Sequence, residues 1–239
     1  MKYRHDIRLY TLVLIAATMF GCTTTNVKVS DQFPVPLMPK TQVNLGIHLD
    51  DALKKFVYRE KIANTGEWII GVGAAQENMF VNLATGVFES YSLVSGPDQA
   101  AGMDGVLQPS IAEVQFSIPK QTRSKYYEVW LKYQFKLFDR QGNLVGEWSL
   151  PAYGKAHKQD YGSSGSALEA AALAACRDAM AFFSFNFERE PSIRQWLRSG
   201  KPIVPPTPAA SPTTTPAANQ TGPTTGIGIA HSDSNKPGV

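Results

Sequence analysis

One stretch of this chain leaves few choices of fold. Between residues 125 and 138, Tyr127, Val129, Leu131, Tyr133, Phe135 and Leu137 alternate with Glu128, Trp130, Lys132, Gln134 and Lys136. Successive side chains on a strand point to opposite faces, so this period of two predicts a strand with one packed face and one mostly wet face. Such a strand needs a sheet around it and a cover on one side. Asp139-Arg140-Gln141-Gly142-Asn143 supplies a turn, with Gly142 suited to a positive φ, and Leu144 to Leu150 returns as the partner strand.

The rest of the pattern builds outwards from that hairpin. Upstream, the apolar phase is odd at Leu107 and Ile111 but even at Val114, Phe116 and Ile118, which a bulge near Pro109 to Ala112 reconciles. Val43 to Leu49 reads as a strand, Asp50 or Asp51 as the cap of a helical segment running to Lys61, and Trp68 to Val72 as a further strand. Met79, Phe80, Leu83, Val87 and Phe88 recur at helical spacing and predict a helix over 75–90. Ser166 and Glu169 have capping-box spacing ahead of a long helix whose face carries Leu168, Ala172, Ala175, Cys176, Ala179 and Phe183. A short segment around Ile193 to Leu197 closes the body. This order predicts an α/β chain of the α+β sandwich type: a mostly antiparallel sheet with two main helices packed on one face. With 239 residues, 43% of them hydrophobic, one cored domain over 43–198 is expected.

The ends differ in kind from that body. Residues 1–21 have the layout of a secretory leader: Lys2, Arg4 and Arg8, then an apolar run from Leu9 to Phe20, then the small Gly21. Residues 22–42 hold Pro34, Pro36 and Pro39 among polar neighbours and read as a tether. At about 3.1 Å per residue, a polyproline-like path would stand the domain off by up to roughly 60 Å. From 199 to 239 the chain is rich in Pro, Thr, Ala and Gly and lacks aromatics, as expected of an unfolded tail. The formal net charge of +3 falls mostly on the leader, and the near-neutral remainder offers no footprint for nucleic acid.

Thr18-Met19-Phe20-Gly21-Cys22 resembles the lipobox of bacterial lipoproteins. That resemblance implies cleavage between Gly21 and Cys22, acylation of Cys22, and attachment to the lipid bilayer through it. A multiply acylated end is effectively permanent in a membrane, since each buried methylene adds about 0.8 kcal/mol. Thr23 is not the Asp that marks inner-membrane retention in the enterobacterial sorting pattern, so the resemblance points to the outer membrane, periplasmic side. In element order, residues 65–187 also resemble small envelope-assembly lipoproteins, namely the lipopolysaccharide-assembly lipoprotein and TolB-amino-terminal-like proteins. Asp104-Gly105-Val106-Leu107 and the Asp139 to Gly142 turn are loose matches. Such a likeness transfers no functional residue.

The candidates for chemistry are few. Gly71-x-Gly73 superficially matches a dinucleotide turn, but Gln76 stands where a third glycine belongs, so a tight strand-to-helix turn is expected and no cofactor. His157, Asp160 and the serines of 163–166 could form a nucleophile set around His157 and Ser164, but residue 166 is Ser where the elbow pattern needs Gly. A loop ending in a helix cap explains them better, and no catalytic residue is assigned. His48 and His157 lack a second ligand at metal spacing, so no metal is expected. Asp50-Asp51 suits a helix start, and Cys176 a small core position. Trp130 and Lys132 lie on the polar face of the alternating strand and are the candidate contact for a partner. The bland alternative covers Trp130 with residues 56–58. The function expected is that of a non-enzymatic factor assembling or stabilising an envelope complex, with an envelope protein as partner and self-association left open. The rivals are a lipid- or glycan-binding module and a hydrolase using His157 and Ser164.

Overall fold

The computed structural model describes residues 24–29 and 33–199. The stretch read as a secretory leader, Gly21, Cys22 and Thr23, residues 30–32 and the chain from residue 200 lie outside the described residues. Two sheets and five helices form one α+β body among the described residues, as the alternating strand required.

The larger sheet is built from β2 (Thr41–His48), β5 (Phe88–Val94), β6 (Gly105–Ser117), β7 (Tyr126–Asp139) and β8 (Leu144–His157), in the order β5-β2-β6-β7-β8. The long strands β6, β7 and β8 run antiparallel, whereas β2 pairs parallel with β5 and β6. The expected bulge is present: the β6–β7 register slips between Ile111 and Glu113, which keeps Ile111 and Val114 on the same side. The helices α2 (Gly73–Val87) and α4 (Ser164–Asn186) both pack on the face of odd-numbered β7 residues. Tyr133 and Phe135 each lie edge-on to Phe80 of α2, and Phe135 also meets Phe183 of α4.

Helix α4 approaches the sheet closely because its contact row is alanine. Ala167, Ala171, Ala172 and Ala175 are almost wholly buried, and Gly154 of β8 faces that row. A Cβ at Gly154 would run into the backbone of Ala171 and Ala175. The helix starts earlier than the capping-box spacing predicts: Ser163 is the cap, accepting a hydrogen bond from the Ser166 amide at 3.0 Å.

A second sheet was not expected. It has the order β1-β4-β3, with β1 (Thr24–Lys28) parallel to β4 (Gly66–Gly71) and β3 (Val57–Ile62) antiparallel to it. Two expectations change with it. Asp50 does cap a helix, accepting from the Leu53 amide at 2.7 Å, but that helix, α1 (Asp51–Lys54), is one turn long and does not reach Lys61. The chain leaves it because Val57 to Ile62 is a β-rich run that pairs with β4. The described parts of the stretch read as a tether, 22–42, also belong to the body. Residues 24–28 are a strand whose Val27 is buried, and Phe33 is buried beside α2, where Asn82 donates to its carbonyl at 2.8 Å. The predicted helix over 75–90 stops at Val87, and Phe88 begins β5 instead.

The small sheet packs on the same side as the helices. Trp68 of β4 meets Phe116 and Tyr127, and Tyr58 of β3 lies edge-on to Phe116. Helices, small sheet and core therefore occupy one face of β6-β7-β8, and among the described residues no element covers the other face of these strands. At the β2 end of that face, Met103 of the 95–104 loop lies against Gly46 and Ala100 is buried. The loop is held by Asp104, which accepts from the Asn44 amide at 2.8 Å and pairs with Arg140. The short α3 (Pro119–Thr122) links β6 to β7, and α5 (Pro191–Ser199) ends the described body, with Ile193 buried.

Candidate functional site

The open face shows how strictly the strand divides its side chains. Along β7, Val129 and Leu131 are 0% and 2% exposed while Trp130 between them is 40% exposed. Register sets Gln115 of β6 on one side of Trp130 and Tyr153 of β8 on the other. The Trp130 and Tyr153 rings lie 5.3 Å apart, tilted by 40°, which is within the usual range for an aromatic pair. The Tyr153 hydroxyl donates to Glu128 at 2.6 Å, and Ser117 donates to the other oxygen of that carboxylate at 3.0 Å. Desolvation and the hydrogen bond to Glu128 push the Tyr153 phenol up to about 12. It thus remains a donor at neutral pH and holds its ring beside Trp130.

Next to this pair, Glu113, Gln115, Trp130, Lys132 and Pro151 border a shallow hollow of about 300 Å³. Glu113 stands opposite Lys132. Further along, Gln134 donates to Glu147 at 3.1 Å and accepts from Ser149 at 2.6 Å. The face is a polar rim of mixed charge around one aromatic pair. Residues 56–58 do not cover Trp130: Tyr58 is turned towards Phe116 on the core side, and Phe56 packs against the core. Tyr153 is absent from the sequence reading because register, not composition, places it there.

The other candidates fall into structural roles. His157 Nδ1 accepts from the Gln159 amide at 3.3 Å, lies 3.8 Å from Asp160, and its ring stands edge-on to Tyr126 at 5.1 Å. Ser164 opens α4 and shares no hydrogen bond with His157, so the two are not poised as nucleophile and base. Gly73 starts α2 where the chain crosses α1: its amide donates to the Phe56 carbonyl at 3.0 Å, and a Cβ would strike the backbone of Phe56. That crossing accounts for Gly73, whereas a Cβ at Gly71 would make only an ordinary contact with the Val27 carbonyl. His48 meets the Val94 carbonyl at 3.2 Å at the end of a strand pair.

Gln76 has a role that its place in the glycine pattern did not reveal. It is wholly buried, donates to the Val72 carbonyl at 3.1 Å and accepts from the Tyr133 hydroxyl at 3.0 Å. Tyr133 also lies 3.8 Å from the Cys176 sulfur, and burial pushes that thiol up to about 11. A thiol so raised is inert at neutral pH. Large side chains fill the space between helices and sheet, since Tyr133, Phe135 and Phe183 are all fully buried.

Among the described residues, no helix is long and apolar enough to cross a membrane. No protein-family model matches the chain, and no curated protein matches it in sequence. Solved structures resemble it at low identity. A Xanthomonas campestris protein of the DUF330 family is 10% identical, with a TM-score of 0.45 over 73% of this chain and 99% of its own. A protein described as a homologue of neuraminyllactose-binding hemagglutinin from Helicobacter pylori is 9% identical, with a TM-score of 0.39 over 72% and 98%. A Caulobacter crescentus protein described as a lipoprotein is 16% identical, with a TM-score of 0.31 over 41% and 69%.

Proposed function

We propose that this chain is a lipoprotein anchored through acylated Cys22 at the periplasmic face of the outer membrane, where it acts by binding rather than by catalysis. Its open sheet face receives another envelope protein and helps to assemble or stabilise the complex that protein belongs to. The observation that carries this reading is the Trp130–Tyr153 pair, exposed on a sheet face that no described helix or strand covers. Large, stiff amphipathic rings ringed by polar groups are the side chains from which interface hot spots are built. The lipobox at 18–22 supports the address, and Thr23 supports the choice of membrane.

A photoreactive amino acid at position 130 in the full-length protein, activated in living cells, tests this reading. One envelope protein is expected to be captured from position 130 and not from Gln141 at the turn. Trp130→Ala with Tyr153→Ala is expected to weaken recovery of that protein by about 2 kcal/mol, or some thirtyfold. Capture of nothing from position 130 overturns the reading. Acylation is read separately by labelled palmitate, whose incorporation should vanish in Cys22→Ala.

A further inference from the structure

We propose that the end of the body where β1 begins is a headgroup-binding face, which seats the domain on the anionic phospholipid of the bilayer that holds Cys22. The inference rests on acylation of Cys22 and adds an orientation to it.

Several separate segments come together at this end. Thr25 pairs with Trp68 next to the β3–β4 turn, and Gly165 at the start of α4 faces β1, where a Cβ on it would meet Thr25 and Asn26 at 3.7–4.0 Å. Thr25, Trp68, Lys120, Arg123, Lys158 and Ser164 all border one shallow depression, and none of the described residues bordering it is acidic. Lys120 is tied to the turn through the Asn64 carbonyl at 2.8 Å, and the Lys158 amide donates to the Lys125 carbonyl at 2.9 Å. Lys120, Arg123 and Lys158 are thus exposed cations on the border of the depression, and Lys125, also exposed, is joined to them through its backbone bond to Lys158. Lys54, Lys55, Lys136 and Arg140 have carboxylate partners, whereas none of these four pairs with a described carboxylate. Glu67, opposite Thr24, and Asp160, beside His157, offset part of the charge.

Two further observations select a membrane surface as the occupant. Thr24 follows Cys22 by two positions, so the chain can separate the acylated residue from β1 by only roughly 7 Å. An anchor so short brings this end, and no other, against the headgroups. Tyr126 and Tyr161 are 38% and 39% exposed at the same end, and amphipathic rings of this kind favour the membrane–water boundary. Lysine and arginine held near anionic lipid gain attraction that salt screens, whereas the acyl anchor is indifferent to salt.

The processed protein, extracted from membranes and reconstituted in phosphatidylcholine vesicles with or without phosphatidylglycerol, provides the test. A single spin label is placed through Gly162→Cys, where a Cβ meets open space, or through Gln141→Cys at the far end of β7; Cys176 is buried and does not react. The label at 162 should be shielded from a water-soluble relaxation agent when phosphatidylglycerol is present at low salt, and the label at 141 should not. Arg123→Glu with Lys125→Glu and Lys158→Glu, which spares the Lys120–Asn64 bond, should reduce that shielding about tenfold. Circular dichroism of that variant must match the parent. Equal exposure at 162 and 141 in protein whose mass shows the acyl chains overturns the orientation but not the anchor. Shielding that ignores both phosphatidylglycerol and the charge reversals overturns the headgroup contact. A mass without acyl chains overturns the anchor and this inference together.

Discussion

Tyr133 carries a hydroxyl into the middle of the core, and a buried hydroxyl has to find a partner. Gln76 meets it at 3.0 Å while donating its own amide to the Val72 carbonyl, so both side chains are satisfied in a site sealed from water. Tyr133→Phe would strip the Gln76 oxygen of its donor and should cost about 1–3 kcal/mol in urea denaturation. Adding Gln76→Met, which removes the stranded oxygen too, should recover most of that loss. Cys176 gives a pH test of the same site. Its thiol titrates at about 11 in the folded chain against an ordinary 9.0. Between those values the unfolded chain gives up a proton that the folded chain keeps, so stability present below pH 9 declines as the pH rises towards 11, at about 1.4 kcal/mol per unit. The stability gap between the parent and Cys176→Ala should therefore narrow across that window, and a gap independent of pH would contradict it. The core position of Cys176 was readable from its helical spacing among apolar residues. Gln76 was not, because nothing in a sequence marks a polar residue whose partner is a tyrosine fifty-seven positions away.

Strands and helices were legible in proportion to how strongly one face is buried. β7 declared itself because every odd residue from Tyr127 to Leu137 is core. β3 and β5 were missed for the opposite reason. Arg59, Lys61 and the polar run after Phe88 give weak alternation, since both are edge strands that bury little. The hairpin turn was readable but its register was not: a slip between Leu137 and Phe138 shifts the pairing by one residue. Without it, Trp130 would stand opposite Ala152 instead of Tyr153, and the aromatic pair would not exist. β8 is also an edge, and two devices obstruct it. Pro151 has no amide hydrogen to offer, and the outward Tyr153 amide is taken by Asp178 of α4 at 2.9 Å. Pro151→Thr with Asp178→Ala reopens that edge, and the variant should self-associate more strongly than the parent in sedimentation. The contact with α4 admits a sharper test. Gly154→Ala forces a methyl group into the helix backbone, which cannot give way as a flexible side chain could. About 3 kcal/mol should be lost from the stability measured in urea.

For the molecule as a whole, the start of the packed body sets what a partner can be. A tether over 22–42 would have let the domain search a volume tens of ångströms deep, but β1 begins at Thr24 and closes that distance. Trp130 lies only four residues along β7 from Tyr126 at the basic end, roughly 13 Å at strand rise. If Cys22 is acylated, whatever meets Trp130 does so close above the bilayer, which favours a partner embedded in or bound to the same membrane. Twenty Gly/Ser residues inserted between Thr23 and Thr24 would restore the missing reach, with a root-mean-square span of roughly 25 Å. The insertion adds nothing to the packed body, so the urea midpoint should be unchanged. Capture of the envelope partner from position 130 should fall several-fold, because the domain would no longer be presented at a fixed height and orientation. Capture that survives the insertion undiminished would mean that the partner reaches the domain from the periplasm, with the anchor serving only to retain it.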